Sequence, residues 1–237
     1  MKPLFCCFYM LIKQISKDCM LYAILLAPLM AACVFRFGIP YAETLLCAYF
    51  EKTSILAGYY LLFDILLAIL TPVMFCFSSS MVILTEYDEN ITNYIVSTPV
   101  GKRGYIISRI VFPTGLSFFV TAILLSLFAL TKWQPLMLLL TVLLTCLLSV
   151  VISLLIISYS HNRVEGMAMA KLSGVIFLGL PIPFFMSSNI QYLFSLLPSF
   201  WIGKLCLERN YLFVIPALMT SFLMIWALYR RLEKKLV

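Results

Sequence analysis

Apolar residues run along this chain in blocks that are long and uninterrupted. Six of them, at 19–37, 56–84, 105–130, 135–159, 172–190 and 211–229, have the length of about 20 residues that carries a helix across a bilayer core of about 30 Å. Hydrophobicity does not alternate within them, as the strands of a membrane barrel would require. Helices also satisfy their own backbone hydrogen bonds in lipid. The pattern predicts an all-α membrane protein of six transmembrane helices, with residues 1–237 forming a single transmembrane domain.

Four interruptions in this pattern carry further information. Residues 1–18 read as an amphipathic helix in the headgroup plane, with Leu4, Phe8, Leu11, Ile12 and Ile15 on one face and Lys13, Ser16 and Lys17 on the other. In the loop at 85–104, Thr85 and Asp88 have the spacing of a capping box, and Glu86, Asp88 and Glu89 are acids suited to a helix start. Ile91, Tyr94 and Ile95 then form a small apolar face, and Pro99 disfavours helix at Thr98. A short surface helix over 86–98 is therefore expected, clamped between spans two and three. Pro181 and Pro183 should break or hinge the fifth span. Beyond them, Asn189 and Gln191 can line a vestibule. The apolar stretch 191–205, with Trp201, is expected to dip back into the interface from the outside.

Asp64 is the one acid well inside a span. It reads either as a pathway group, the usual meaning of an intramembrane carboxylate, or as an interfacial acid near the outer end of its helix.

Composition agrees with the spans. Of 237 residues 63% are hydrophobic and 11% charged, with mean hydropathy +1.05, against about 25% charged in a soluble domain. The net charge of +7 lies in short clusters beside spans rather than in a groove with stacking aromatics, which argues against nucleic acid. With both termini inside, twelve Lys and Arg fall on the cytoplasmic side and five outside, a positive-inside bias for a plasma-membrane protein. The first span has no small-x-small cleavage site after it, so it is expected to be retained.

Eight cysteines with no CxxC and a single histidine, His161, make a zinc site improbable. Reduced thiols packed as small hydrophobes are expected. Cys47 and Cys206, in expected outside loops, leave a pairing open. No phosphate-binding GxxxxGK[ST] and no nucleophile–base dyad is present, so neither catalysis nor a cofactor is expected of this chain.

From Glu86 to Arg109 the sequence resembles the ABC-2 type permease family, the membrane subunits of ATP-driven exporters. Glu86, Asn90, Ser97-Thr98-Pro99-Val100, Lys102-Arg103 and Tyr105 fall on the family's motif positions. The family's glycine is Asn90 here, and its Gly-Lys is Ser108-Arg109. Pro181 and Leu197-Pro198 match more loosely. The resemblance implies that 1–18 is a connecting helix and 86–98 a coupling helix docked on a separate ATPase. It further implies two ATPases carrying ATP and Mg, and a second permease copy (identical or a close paralogue). A substrate path would run between the copies, moving an amphipathic or hydrophobic substrate outward. Small permeases of this kind export cytotoxic amphipathic peptides such as phenol-soluble modulins, or drugs and lipids. Two other readings stand beside it: a proton- or ion-coupled carrier or channel centred on Asp64, and a membrane immunity protein.

Overall fold

The computed structural model describes residues 2–51, 53–92, 94, 101–186 and 188–235, and the side chains of most of these. All the regular structure among them is helical. In chain order the α-helices are α1 (Lys2–Lys17), α2 (Cys19–Cys33), α3 (Ile39–Phe50), α4 (Tyr60–Asp88), α5 (Gly101–Ile106), α6 (Phe112–Phe128), α7 (Pro135–Tyr159), α8 (Arg163–Ser173), α9 (Ile182–Phe185), α10 (Pro198–Glu208) and α11 (Val214–Lys235). Six helical runs are long and apolar enough to cross a membrane: Cys19–Phe50, Ala57–Asp88, Gly104–Phe128, Pro135–Tyr159, Arg163–Phe185 and Tyr211–Glu233. The chain is an all-α, six-span, multi-pass membrane protein.

The fourth span matches its expected limits because both ends are written locally. Pro135 at the start needs no N–H partner, and the chain turns extended at Ser160. The first span does not end at Phe37. It continues through a π-turn at Val34–Gly38 into α3, because Tyr41 to Phe50 carry nothing that stops a helix. The third span contains a matching π-turn at Ile107–Val111. Each π-turn centres on an arginine four residues before a proline, Arg36 before Pro40 and Arg109 before Pro113. Proline has no N–H for the carbonyl four residues back, and its ring crowds that carbonyl. The helix responds by widening one turn.

The fifth span also differs from its expected limits. It begins at Arg163 rather than 172, because Asn162 caps α8 by accepting from the Glu165 N–H at 2.8 Å. It loosens to a 3-10 helix over Gly174–Gly179, ahead of Pro181 and Pro183. The stretch expected to be a re-entrant outside segment at 191–205 is a 3-10 helix (Asn189–Leu196) followed by α10. Phe200, Ile202, Leu205 and Cys206 of α10 are buried, and α10 packs on α4, α7, α11 and the 3-10 part of span five. Asn189 is exposed on the 3-10 helix, Gln191 half-buried. Trp201 donates its indole N–H to the Ser195 carbonyl at 2.7 Å and stacks on Phe213. The pairing of Cys47 with Cys206 does not form. Cys206 Sγ lies 3.4 Å from Thr141 Oγ1, and both cysteines are free.

Gly203 marks a close approach of α10 to span five. A Cβ there would stand 2.7 Å from the Leu180 carbonyl oxygen, a backbone atom that cannot swing aside. Gly203→Ala is expected to lower stability by about 1–3 kcal/mol, as overpacking does. A thermal unfolding midpoint in detergent equal to wild type would refute this.

At the core, α4 and α7 pack most closely against each other, with α6 and α11 against their flanks. Hydroxyls fill this seam, as small polar residues do between membrane helices. Ser80 and Ser153 meet at 2.7 Å, and Cys76 Sγ lies 3.2 Å from Ser149 Oγ. Helix α1 packs on α5 and the π-turn of span three, and Leu232 of α11 packs with Ile83, Tyr105 and Ile157, so the first and last helices meet at one end of the bundle. This end is called the terminal face.

Candidate coupling site

The acid expected to start a surface helix is instead sealed inside the terminal face. Helix α4 continues through Thr85 to Asp88. Thr85 does not cap, and its hydroxyl donates to the Met81 carbonyl at 3.0 Å. The reason is local and tertiary together. Nothing between Leu84 and Asp88 breaks a helix, and the last turn of α4 rests on the packed side chains of α7 and span three. Helix α4 stops where Asn90 turns left-handed at φ 58°, an angle Asn tolerates.

Glu86 is 1% exposed and forms an ion pair with Arg109, also 1% exposed. Arg109 Nη2 donates to Glu86 Oε1, and Arg109 Nε to Oε2 at 3.2 Å. Tyr105 adds its hydroxyl to Oε2 at 2.8 Å. The carboxylate thus receives a two-pronged guanidinium and a phenol, inside a shell of Ile83, Ile110, Leu154, Ile157 and Leu232. The π-turn makes this possible. Pro113 cannot satisfy the Arg109 carbonyl, and the Ser79 hydroxyl of α4 donates to it instead. Both the side chain and the backbone of Arg109 are therefore fastened to α4.

A second, exposed set of contacts surrounds this pair. Asp88 Oδ2 accepts the Arg163 backbone N–H at 3.2 Å. The Arg163 guanidinium pairs with Asp18, which caps α2 through the Met20 and Leu21 N–H groups at 3.0 and 3.4 Å. Three elements, the α1–α2 elbow, the end of α4 and the start of span five, are thereby joined. Partial burial alone would push the Asp18 carboxyl up. The Arg163 hydrogen bond and charge, with the two backbone N–H groups, outweigh that and hold it below its ordinary 3.8. A lowered value means the charged form stabilises the fold at every pH above 3.8 and loses this effect as pH falls through the folded value. Wild type and Asp18→Asn, which keeps the cap, should differ in melting temperature at neutral pH and converge below about pH 4. Parallel melting curves across that range would contradict the assignment.

The expected coupling residues are thus divided. Glu86 points into the bundle, Asp88 and Glu89 are exposed at the end of α4, Ile91 is half-buried and Tyr94 is exposed at 74%. Ile95, Thr98 and Pro99, and with them the second half of the expected helix at 86–98 apart from Tyr94, lie outside the described residues, while its first residues, Glu86 to Asp88, belong to α4. Tyr105 was marked from sequence only as a motif position, and Arg163 and Asp18 were not singled out. The available signal was an acid in the last turn of one span facing a Tyr-x-x-x-Arg in the first turns of the next.

Asp64, at the opposite face, is 2% exposed and fully engaged. It accepts from Leu130 N at 2.8 Å, Thr131 N at 2.9 Å, Thr131 Oγ1 at 2.5 Å and Trp133 Nε1 at 3.1 Å. The carboxylate holds the connection between α6 and α7. Pro181, Pro183, Asn189, Gln191 and Trp201 do not gather around it, lying instead on the fifth span and the segments after it.

With this geometry in place, similarity to known proteins decides the family. A model of the family described as "Fluoroquinolones export permease protein Rv2686c-like" matches residues 11–231. The chain belongs to that family. Two curated relatives, fluoroquinolones export permease proteins MT2760 and Rv2686c from two strains of Mycobacterium tuberculosis, are each 30% identical over 92 residues. The match spans 36% of this chain and 36% of each relative. No solved structure matches. The Glu86–Arg109 cluster thus lies in a six-span member of that family.

Proposed function

We propose that this chain is the membrane-spanning subunit of an ATP-driven exporter. Two separate ATPases would dock at the terminal face around Asp88, Glu89 and Tyr94, together with the residues that follow in sequence to Pro99, and that face is then the cytoplasmic side of the plasma membrane. A second permease copy would complete the path. The observation that carries this reading is the buried Glu86–Arg109–Tyr105 cluster directly behind an exposed polar segment. A push on Asp88, Glu89 or Tyr94 reaches α4 and span three as one body, because their junction is pinned by charge, phenol and backbone at once. Coupling of this kind needs an element with two arrangements that the partner's nucleotide state biases. The loosened 3-10 stretch at Gly174–Gly179, ahead of Pro181 and Pro183, is suited to be that element.

For the substrate, the relatives' names support a small aromatic drug-like amphiphile. An amphipathic peptide remains the alternative that the resemblance to small ABC-2 permeases suggested. Asp64 offers no support for a proton-coupled carrier, since its oxygens already hold the α6–α7 connection.

The test is affinity purification of tagged chain from its native membrane. An ATPase is expected to co-purify with wild type and to be lost when Tyr94 and Ile95 are both changed to Asp. Wild type that carries no ATPase under gentle detergent conditions would overturn the reading.

A further inference from the structure

Two cavities share the flanks of spans one, two and five. The first, of 680 Å³, opens at the terminal face and is lined by Gln14, Lys17, Asp18, Thr85, Glu89 and Arg163. The second, of 410 Å³, lies further along the same helices and against α7, where Met20, Met74, Phe77, Met167 and Phe177 line it among aliphatic side chains such as Ile152, with Lys171 also on its wall. Arg163, Met167 and Ala170 recur at helical spacing, so one face of span five borders both.

The chemistry of the polar cavity is specific. Asp18 and Arg163 neutralise each other. Lys17 and Glu89 enter no ion pair among the described residues, which leaves one cation and one anion on the walls. Two buried polar atoms there also have no hydrogen-bond partner among the described residues: Gln14 Oε1, an acceptor, and Arg163 Nε, a donor. Buried polar atoms are rarely left this way, since each costs about 1–3 kcal/mol. A ligand that satisfies all four groups must bring a negative group toward Lys17 and Arg163 Nε, and a positive, N–H-bearing or polarised group toward Glu89 and Gln14. A singly charged ligand would leave Lys17 or Glu89, both exposed, to solvent alone. The neighbouring cavity is apolar and rich in Met and Phe, whose flexible thioethers and rings fit varied apolar bodies.

We infer that these cavities form one binding site for a zwitterionic amphiphile, its head between Lys17 and Glu89 and its apolar body among Met74, Phe77 and Met167. Such a molecule can come from the aqueous side, as an exported compound, or from the bilayer, as a zwitterionic lipid. The site does not depend on the exporter reading. Loss of ATPase co-purification would leave it standing, and its own failure would leave the exporter reading untouched.

The experiment uses the full chain in nanodiscs of phosphatidylglycerol, which supplies no zwitterionic headgroup. Three probes with the same tail are titrated below their micelle concentrations: a dodecyl sulfobetaine, dodecyl sulfate and dodecyltrimethylammonium. The sulfobetaine is expected to bind saturably, and the two singly charged probes about tenfold more weakly, the equivalent of one lost charge-assisted hydrogen bond. Glu89→Gln should weaken sulfobetaine binding by a similar factor, and Met167→Trp, which fills the apolar cavity, should abolish it. Glu89 is exposed, so its variant is expected to fold even where Met167→Trp does not. In phosphatidylethanolamine nanodiscs, loss of probe binding would identify a bilayer lipid as the occupant, and retained binding a compound from the aqueous side. Equal affinity for all three heads, or wild-type binding by Glu89→Gln, overturns the proposal.

Discussion

Replacing Glu86 with alanine is expected to destabilise the protein by about 3–5 kcal/mol, the cost of stranding a buried guanidinium without its counter-charge. Arg109→Ala should cost as much by stranding the carboxylate, which keeps only the Tyr105 hydroxyl as a donor. The double variant Glu86→Leu, Arg109→Met should recover most of that loss, because a buried pair exchanged for apolar groups of similar volume is often neutral. Thermal unfolding of the four proteins in one detergent compares these losses directly. Stability and transport should then part company. The apolar pair restores the fold but lacks the two-pronged junction, so export and ATPase stimulation are expected to stay low. Full export by the double variant would show that the pair only holds the helices together.

Asp64→Ala is the second large effect. Removing this carboxylate leaves the Leu130 and Thr131 N–H groups, the Thr131 hydroxyl and the Trp133 indole facing a buried void. At about 1–3 kcal/mol for each buried donor left unmet, the loss should reach about 3 kcal/mol or more. Residual export by folded variant protein should keep the wild-type pH profile. A stable Asp64→Ala protein whose export has lost its pH dependence would instead make Asp64 a proton-handling group.

Both residues show where sequence reading stops. The number of spans and the limits of the fourth were legible, because hydrophobic length, Pro135 and the polar run after Tyr159 are local signals. The orientation of Glu86 was not. Thr85-x-x-Asp88 has the spacing of a helix start, and a local rule cannot see that Arg109, 23 residues on, meets the acid inside the bundle. Asp64 was legible as unusual but not as a clamp, since its four donors lie 66 to 69 residues away. The segment after span five was recognised as too apolar for a free loop. Its depth depends on Gly203, which lets α10 close on the Leu180 carbonyl. Lys204, one of the five cations on the expected outside, is 3% exposed and donates to the Tyr192 hydroxyl at 2.6 Å. Its ammonium also lies 4.1 Å from the Tyr192 ring centroid.

The π-turn at Ile107–Val111 has a consequence for how this family can change length. A helix that gains one residue while both ends stay anchored forms such a turn, so it behaves as the mark of an insertion. Each helical residue turns the chain by about 100°. Deleting one residue within Ile107–Val111 would therefore draw the wide turn back to an ordinary α turn, with Phe112–Phe128 and Tyr105 both kept in register. A deletion in the regular turns of Phe112–Phe128 has no such slack and would swing the residues on its two sides about a third of a turn apart. Lineages that keep the acid–arginine junction are therefore expected to place single-residue length changes of this span at the wide turn and not in the α-helical turns beyond it.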